Sequence, residues 1–223
     1  MTLIAGVRCT DGLLICSDRE EVGGDTKQSV RKIFDRCNQD YSIAIATAGH
    51  SALCDLAVSK IGKAITDAHA KFPQNHQELI TDVLTEVHLK YVWSYQGQED
   101  RRIALIIGLH NRAEDTTYLY LTDEEVLQPR QEYACAGIGE LIGSYFLERL
   151  YEKSLSIEEA VKLMGFIARE AKDSVGGVGR ETEIISIGQM ACRTFLSRVS
   201  DQELPHLSRC VYEFWKAKRI GTI

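Results

Sequence analysis

Proline is nearly absent: there are three in 223 residues, and no Pro-, Gly- or Ser-rich stretch reads as a linker. The sequence therefore offers no internal boundary. A single domain is expected over 1–223, with a C-terminal extension from about 190. A long apolar run is missing too. Arg8, Asp11, Asp18 and Arg19 break up the first twenty positions, which excludes a signal peptide or a spanning segment there and leads to the expectation of a cytoplasmic protein with no membrane partner. Positive charge is in deficit, with 26 Lys and Arg against 32 Asp and Glu and a formal net charge of −6. That balance argues against a nucleic-acid partner, and the one basic knot, Lys216, Lys218 and Arg219, reads as a solvated tail. The seven cysteines form no C-x-x-C pair, and their odd number argues for reduced thiols rather than a disulfide framework. The six histidines include no H-x-x-x-H pair, so neither a metal nor a cofactor is expected.

What is present is an ordinary globular composition, 44% apolar and 26% charged, in a chain long enough for a full hydrophobic core. Leu3 to Cys9 reads as a strand, Thr10-Asp11-Gly12 as a tight turn and Leu13 to Ser17 as a second strand. A polar loop is expected over Arg19 to Lys27. A second hairpin is expected from Ser29 to Phe34 and Tyr41 to Ala48. Apolar residues at helical spacing predict helices over Ser51 to Ala70 and Gln77 to Tyr95. Strands follow at Arg102 to His110, Thr117 to Leu121 and Gln131 to Ala136, then helices at Ile138 to Tyr151 and Ile157 to Lys172. The last of these helices opens on the capping box Ser156/Glu159. Glu183 to Gly188 reads as a strand, and the tail as one more strand and a helix near Leu204 to Lys216. Helix pairs that separate antiparallel hairpins predict an α+β fold: a four-layer αββα sandwich of two antiparallel sheets with the helix pairs outside.

Three residues in this order can carry chemistry. Thr2 follows Met1, and a small second residue generally permits removal of the initiator methionine. Thr2 would then hold a hydroxyl beside a free α-amine, whose pKa near 7.7–8.0 in roughly unperturbed form suits a general base. By itself a penultimate threonine is more simply the start of a strand. Asp18 closes the second strand, so an antiparallel hairpin turned at Asp11-Gly12 returns it to the neighbourhood of Thr2. Lys32 is expected on the third strand, sharing a face with Val30 and Phe34. If partly buried there it needs a carboxylate, and Asp18 is the natural one; the plainer alternative is an edge lysine in water.

Thr2-Leu3-Ile4, Asp11 through Arg19, Val30-Arg31-Lys32-Ile33 and Thr47-Ala48-Gly49 together resemble the proteasome β-subunits and the bacterial peptidase of the same fold that partners an unfolding ATPase. The quartet is closest over the first 55 residues, and the order of elements continues to about Gly188. The resemblance implies an N-terminal nucleophile hydrolase. Thr2 Oγ attacks a carbonyl, Lys32 paired with Asp18 supplies local positive potential, and the Gly49 N–H stabilises the oxyanion. Val22 and Thr47 lie beside the substrate, with Val30, Phe34, Thr47 and Ser51 lining an apolar first pocket. It also implies a polypeptide or peptide substrate, a homo-oligomer (ring or filament) and an ATPase unfoldase partner. The catalytic subunit type is expected, because no helical extension precedes the first strand. The second half departs from the family. Ile138 stands where the family has a serine between two glycines, while Asp173 and Ser174 are the matches for an aspartate and a serine in a run that is one residue short here.

Three other readings remain. The run Gly137-Ile138-Gly139-Glu140-Leu141-Ile142-Gly143 follows a strand and opens a helix, as a dinucleotide fingerprint does, but a helix rather than a strand follows it. The same fold also serves non-catalytic structural subunits, and Ile138 favours that reading. The Thr2 chemistry could also act on a small amide.

Overall fold

Strands with both faces covered read as continuous apolar runs, because successive side chains must each find a packed layer. Several of the described strands are of that kind, and they organise the computed structural model, which describes residues 2–23, 26–68, 72–97, 101–188 and 193–195. In β1 (Leu3–Cys9), Leu3, Ala5 and Val7 face one side and Ile4 the other; in β2 (Gly12–Asp18), Leu14 and Cys16 oppose Leu13 and Ile15. A tight turn at Thr10-Asp11 joins the two. A short hairpin follows, β3 (Glu20–Gly23) with β4 (Thr26–Ser29). Then come β5 (Ile33–Cys37) and β6 (Tyr41–Gly49), in which Ile43 and Ile45 alternate with Ala44, Ala46 and Ala48. Helices α1 (Ser51–Ala68) and α2 (Phe72–Val87) come next, and α2 runs into a single π-helical turn, His88–Val92. The second half holds β7 (Ile103–Asn111), β8 (Thr116–Asp123), β9 (Val126–Arg130), β10 (Tyr133–Gly137), α3 (Glu140–Leu150), α4 (Ile157–Ser174), β11 (Thr182–Ile187) and β12 (Arg193–Phe195).

These strands form two five-stranded antiparallel sheets, ordered β10-β1-β2-β11-β12 and β5-β6-β7-β8-β9. Three apolar layers follow from the alternation. Leu3, Leu14 and Ile184 pack under α3 and α4 with Leu147, Leu163 and Ile167. Ile45, Leu105 and Ile107 pack under α1 and α2 with Ile61, Ile80 and Leu84. Ile4, Ile15, Ala46, Ile106 and Ile185 fill the space between the sheets. Small residues set the sheet separation there: a Cβ on Gly6 would stand 2.8 Å from Leu119 Cδ1. The fold is the αββα sandwich that the element order predicts.

Local expectations fared unevenly. The capping box at Ser156 and Glu159 is present, with the Ser156 hydroxyl accepting from the Glu159 N–H and the Glu159 carboxylate accepting in return. The stretch expected as a loop from Arg19 contains the β3–β4 hairpin, in which the exposed, polar residues of β4 carry no hydrophobic alternation to signal it. The third strand begins at Ile33 rather than Ser29, so Lys32 lies just before it. Strand β9, absent from the expected elements, carries Pro129 and is the edge of its sheet, where a proline is tolerated. Helix α2 starts at Phe72, not Gln77, and its break in helical geometry at Asn75 explains why the periodic pattern began late. The dinucleotide reading fails on topology: β10 is antiparallel to β1, and α3 leads to α4. The tail helix expected near Leu204 lies outside the described residues.

Candidate active site

Thr2 sits just ahead of β1, 2% exposed, where the first sheet opens toward the second. The hairpin register places Ile4 opposite Ser17, which carries Asp18 to the backbone of Leu3. Asp18 is fully buried, and its carboxylate is saturated with donors. Oδ1 accepts from the Leu3 N–H at 2.8 Å and from the Thr2 hydroxyl. Oδ2 accepts from the Glu20 N–H at 2.9 Å and the Gly179 N–H at 3.2 Å. These donors take the place of water around the buried carboxylate.

Lys32 enters from the segment before β5, pinned there by the Thr47 N–H bonding its carbonyl at 3.0 Å. It is 7% exposed. Its ammonium donates to Thr2 Oγ1 at 2.6 Å, to both Asp18 oxygens at 3.2 Å and to the Glu20 carbonyl at 2.5 Å. Burial lowers the Lys32 pKa from its usual value, and the adjacent Asp18 charge and hydrogen bonds oppose the shift. The group is aimed at the threonine oxygen, where its protonated form stabilises negative charge developing on Oγ1.

Gly49 ends β6 in the left-handed region, at φ +113°, and a Cβ there would meet the Arg102 carbonyl oxygen at 2.2 Å. Only glycine takes this conformation without strain. Gly49→Ala is therefore expected to cost more in denaturant unfolding than the roughly 1–3 kcal/mol of backbone strain alone, because the overlap with Arg102 adds to it, and to slow labelling of Thr2 by an acylating probe; an unchanged labelling rate in a fully folded variant would separate Gly49 from the chemistry. Gly49 and Thr2 share the walls of two cavities, one of about 140 Å³ toward α1 and one of about 900 Å³ toward β8 and α3. The Thr2 carbonyl is fixed from the far side by the Gly139 N–H at 3.2 Å.

Four of the six expected site residues, Thr2, Asp18, Lys32 and Gly49, come together. Asp173 and Ser174 do not. They fall in the last turn of α4, past the buried face that ends at Ala171. Both are exposed, and Asp173 accepts from Arg169 Nε at 3.4 Å. Ile138 lines the larger cavity with Thr2. Phe34 lines neither cavity, because it faces Ile45 one rung beyond Thr47. Sequence reading missed the Glu20 carbonyl and the Gly179 N–H; the Gly176-Gly177-Val178-Gly179 run was the available signal for the second. Among the described residues no three His, Cys, Asp or Glu side chains group as metal ligands, and no helix is long and apolar enough to cross a membrane.

This arrangement recurs at the level of fold in solved structures. Anbu from Hyphomicrobium sp. strain MC1, as a Gly-1 mutant, superposes with a TM-score of 0.79 at 17% identity, covering 100% of this chain and 98% of that one. A helical assembly of the Anbu complex from Pseudomonas aeruginosa gives 0.81 at 16% identity, over 99% and 96% of the two chains. Anbu (ancestral beta-subunit) from Yersinia bercovieri gives 0.78 at 12% identity, over 99% and 97%. No curated protein sequence matches the chain. The family model for proteasome subunits matches residues 2–187, which takes in the whole Thr2–Asp18–Lys32–Gly49 cluster, and the chain belongs to that family.

Proposed function

We propose that this chain is a threonine-type peptidase in which removal of Met1 frees Thr2 as the nucleophile. The observation that carries the reading is the contact of 2.6 Å between the Lys32 ammonium and Thr2 Oγ1, backed by the fully buried Asp18. A freed α-amine on Thr2 takes the hydroxyl proton as Oγ1 attacks a peptide carbonyl. Lys32 holds the developing negative charge on Oγ1, and Asp18 fixes Lys32 in place. The Gly49 N–H stabilises the oxyanion. Collapse, as the Thr2 α-ammonium returns its proton to the leaving nitrogen, leaves an ester on Thr2 and releases the amine half of the peptide. Water then hydrolyses the ester and regenerates Thr2. The substrate is a polypeptide or peptide, and the working form is a homo-oligomer. The helical assembly of the Pseudomonas aeruginosa Anbu complex supports this last point as an analogy of fold.

Intact mass of the purified protein, with and without a β-lactone probe, tests the reading. Loss of Met1 and a single adduct mapped to Thr2 are expected. A second reading, a non-catalytic subunit of a proteasome-like assembly, draws on Ile138 in place of a hydroxyl and on the outward placement of Asp173 and Ser174. Retained Met1, or a processed Thr2 that takes no label, selects that second reading.

A further inference from the structure

The smaller cavity is bounded by Thr2 and Gly49 on one side and by α1 and the β3 hairpin on the other. A substrate whose carbonyl lies between Thr2 Oγ1 and the Gly49 N–H can place the side chain of that same residue in one of the two cavities they share, and the smaller, of about 140 Å³, is the one that also takes in Lys32 where it meets Thr2 Oγ1 and is sized for a single side chain. The sequence reading made this pocket apolar through Val30, Phe34, Thr47 and Ser51. Phe34 is absent from it, and Glu21 and Asp55 are present.

The charge balance of the wall is the deciding feature. Its two cations are already engaged. Lys32 is held by Asp18, and Arg31 is held by Asp35 and, at 3.2 Å, by the buried Glu183. Glu21 accepts only an amide hydrogen bond from Gln28 at 2.9 Å, and neither Glu21 nor Asp55 has an ion-pair partner among the described residues. Asp55 stands on the exposed side of the first turns of α1, next to the buried Cys54. Both carboxylates line the same cavity as Cys54, whose thiol burial and the Asp55 charge push up to about 12. The pocket therefore has an uncharged inner wall of Ala48, Thr47 and Cys54 and an acidic rim. That combination suits a long side chain with an apolar stem and a cationic head.

Resting on the nucleophile reading above, we infer that the pocket selects a basic residue, Arg or Lys, on the carbonyl side of the cleaved bond. The test is the rate at which peptide vinyl sulfones that differ only in that residue (Arg, Leu or Asp) label Thr2, read by intact mass beside the β-lactone. The Arg probe is expected to react about tenfold faster than the Leu probe, with the Asp probe slowest. In the double variant Glu21→Gln/Asp55→Asn the Arg probe should label no faster than the Leu probe, and in Asp55→Arg the order of the Arg and Asp probes should reverse. Labelling by the β-lactone with the Leu or Asp vinyl sulfone fastest overturns this inference and leaves the nucleophile intact. Failure of every probe, β-lactone included, overturns the nucleophile reading and the selectivity with it.

Discussion

Thr2→Ala is expected to remove probe labelling altogether and to lower peptide hydrolysis by about three orders of magnitude or more, to the level left by binding and oxyanion donors alone. Alanine is small enough to keep Met1 removal unaffected, so the variant still presents a free α-amine and tests the hydroxyl alone. The fold should survive. Thr2 is buried, but the Lys32 ammonium keeps Asp18 and the Glu20 carbonyl as acceptors when Oγ1 is gone. The loss is two hydrogen bonds to charged groups, the one Oγ1 donates to Asp18 and the one it accepts from Lys32, at most about 1.5–3 kcal/mol each because both partners keep other contacts. Thr2→Ser restores the oxygen and should recover partial activity, because only the γ-methyl that restricts the rotamer is missing. Undiminished hydrolysis in Thr2→Ala, measured on the assembled protein, would sink the mechanism.

The sandwich was readable because its strands are long, doubly buried and apolar, and because turn signals such as Asp11-Gly12 are local. Leu3 to Cys9 and Tyr41 to Gly49 need only their own alternation and length to be recognised. The first half of the site was readable for a related reason: the hairpin register alone carries Asp18 back to Leu3. Lys32 was paired with the right carboxylate from the wrong local structure. Its side chain reaches Asp18 from the segment just before β5, tied to Thr47 through its carbonyl, and not from a strand face shared with Phe34. Other contacts were out of reach of local patterning. Gly179 meets Asp18 across 161 residues of sequence, and no periodicity encodes such a contact. Asp173 and Ser174 show the converse. Family spacing pointed to them, whereas α4 decides their direction: the phase set by Leu163, Ile167 and Ala171 turns Asp173 to solvent, and Ser174, though in phase with that stripe, is the last residue of the helix and lies exposed past its buried face.

Asp18→Ala is expected to cost about 3–5 kcal/mol in chemical denaturation as well as all labelling of Thr2. Two effects add. The Lys32 ammonium, with 9% of its side chain exposed, loses its counter-charge, and an uncompensated buried cation is strongly unfavourable. The N–H groups of Leu3, Glu20 and Gly179 lose their shared acceptor at the same time, and each buried donor left without one adds to the penalty. Replacing the lysine separates the terms. Asp18→Ala/Lys32→Met deletes the buried charge and fills the space with an apolar chain of similar length, so it should regain a large part of the lost stability while remaining inactive. The two sites are in direct contact, and the cycle should therefore be non-additive. The single Lys32→Met variant leaves Asp18 with its backbone donors, so it should be less destabilised than Asp18→Ala yet equally unable to react at Thr2. A fully additive cycle would mean that the two charges are solvated in the working assembly. Recovery of stability without recovery of labelling would instead assign the ion pair to the chemistry: a folded chain of this family tolerates the loss of both charges, and its nucleophile does not.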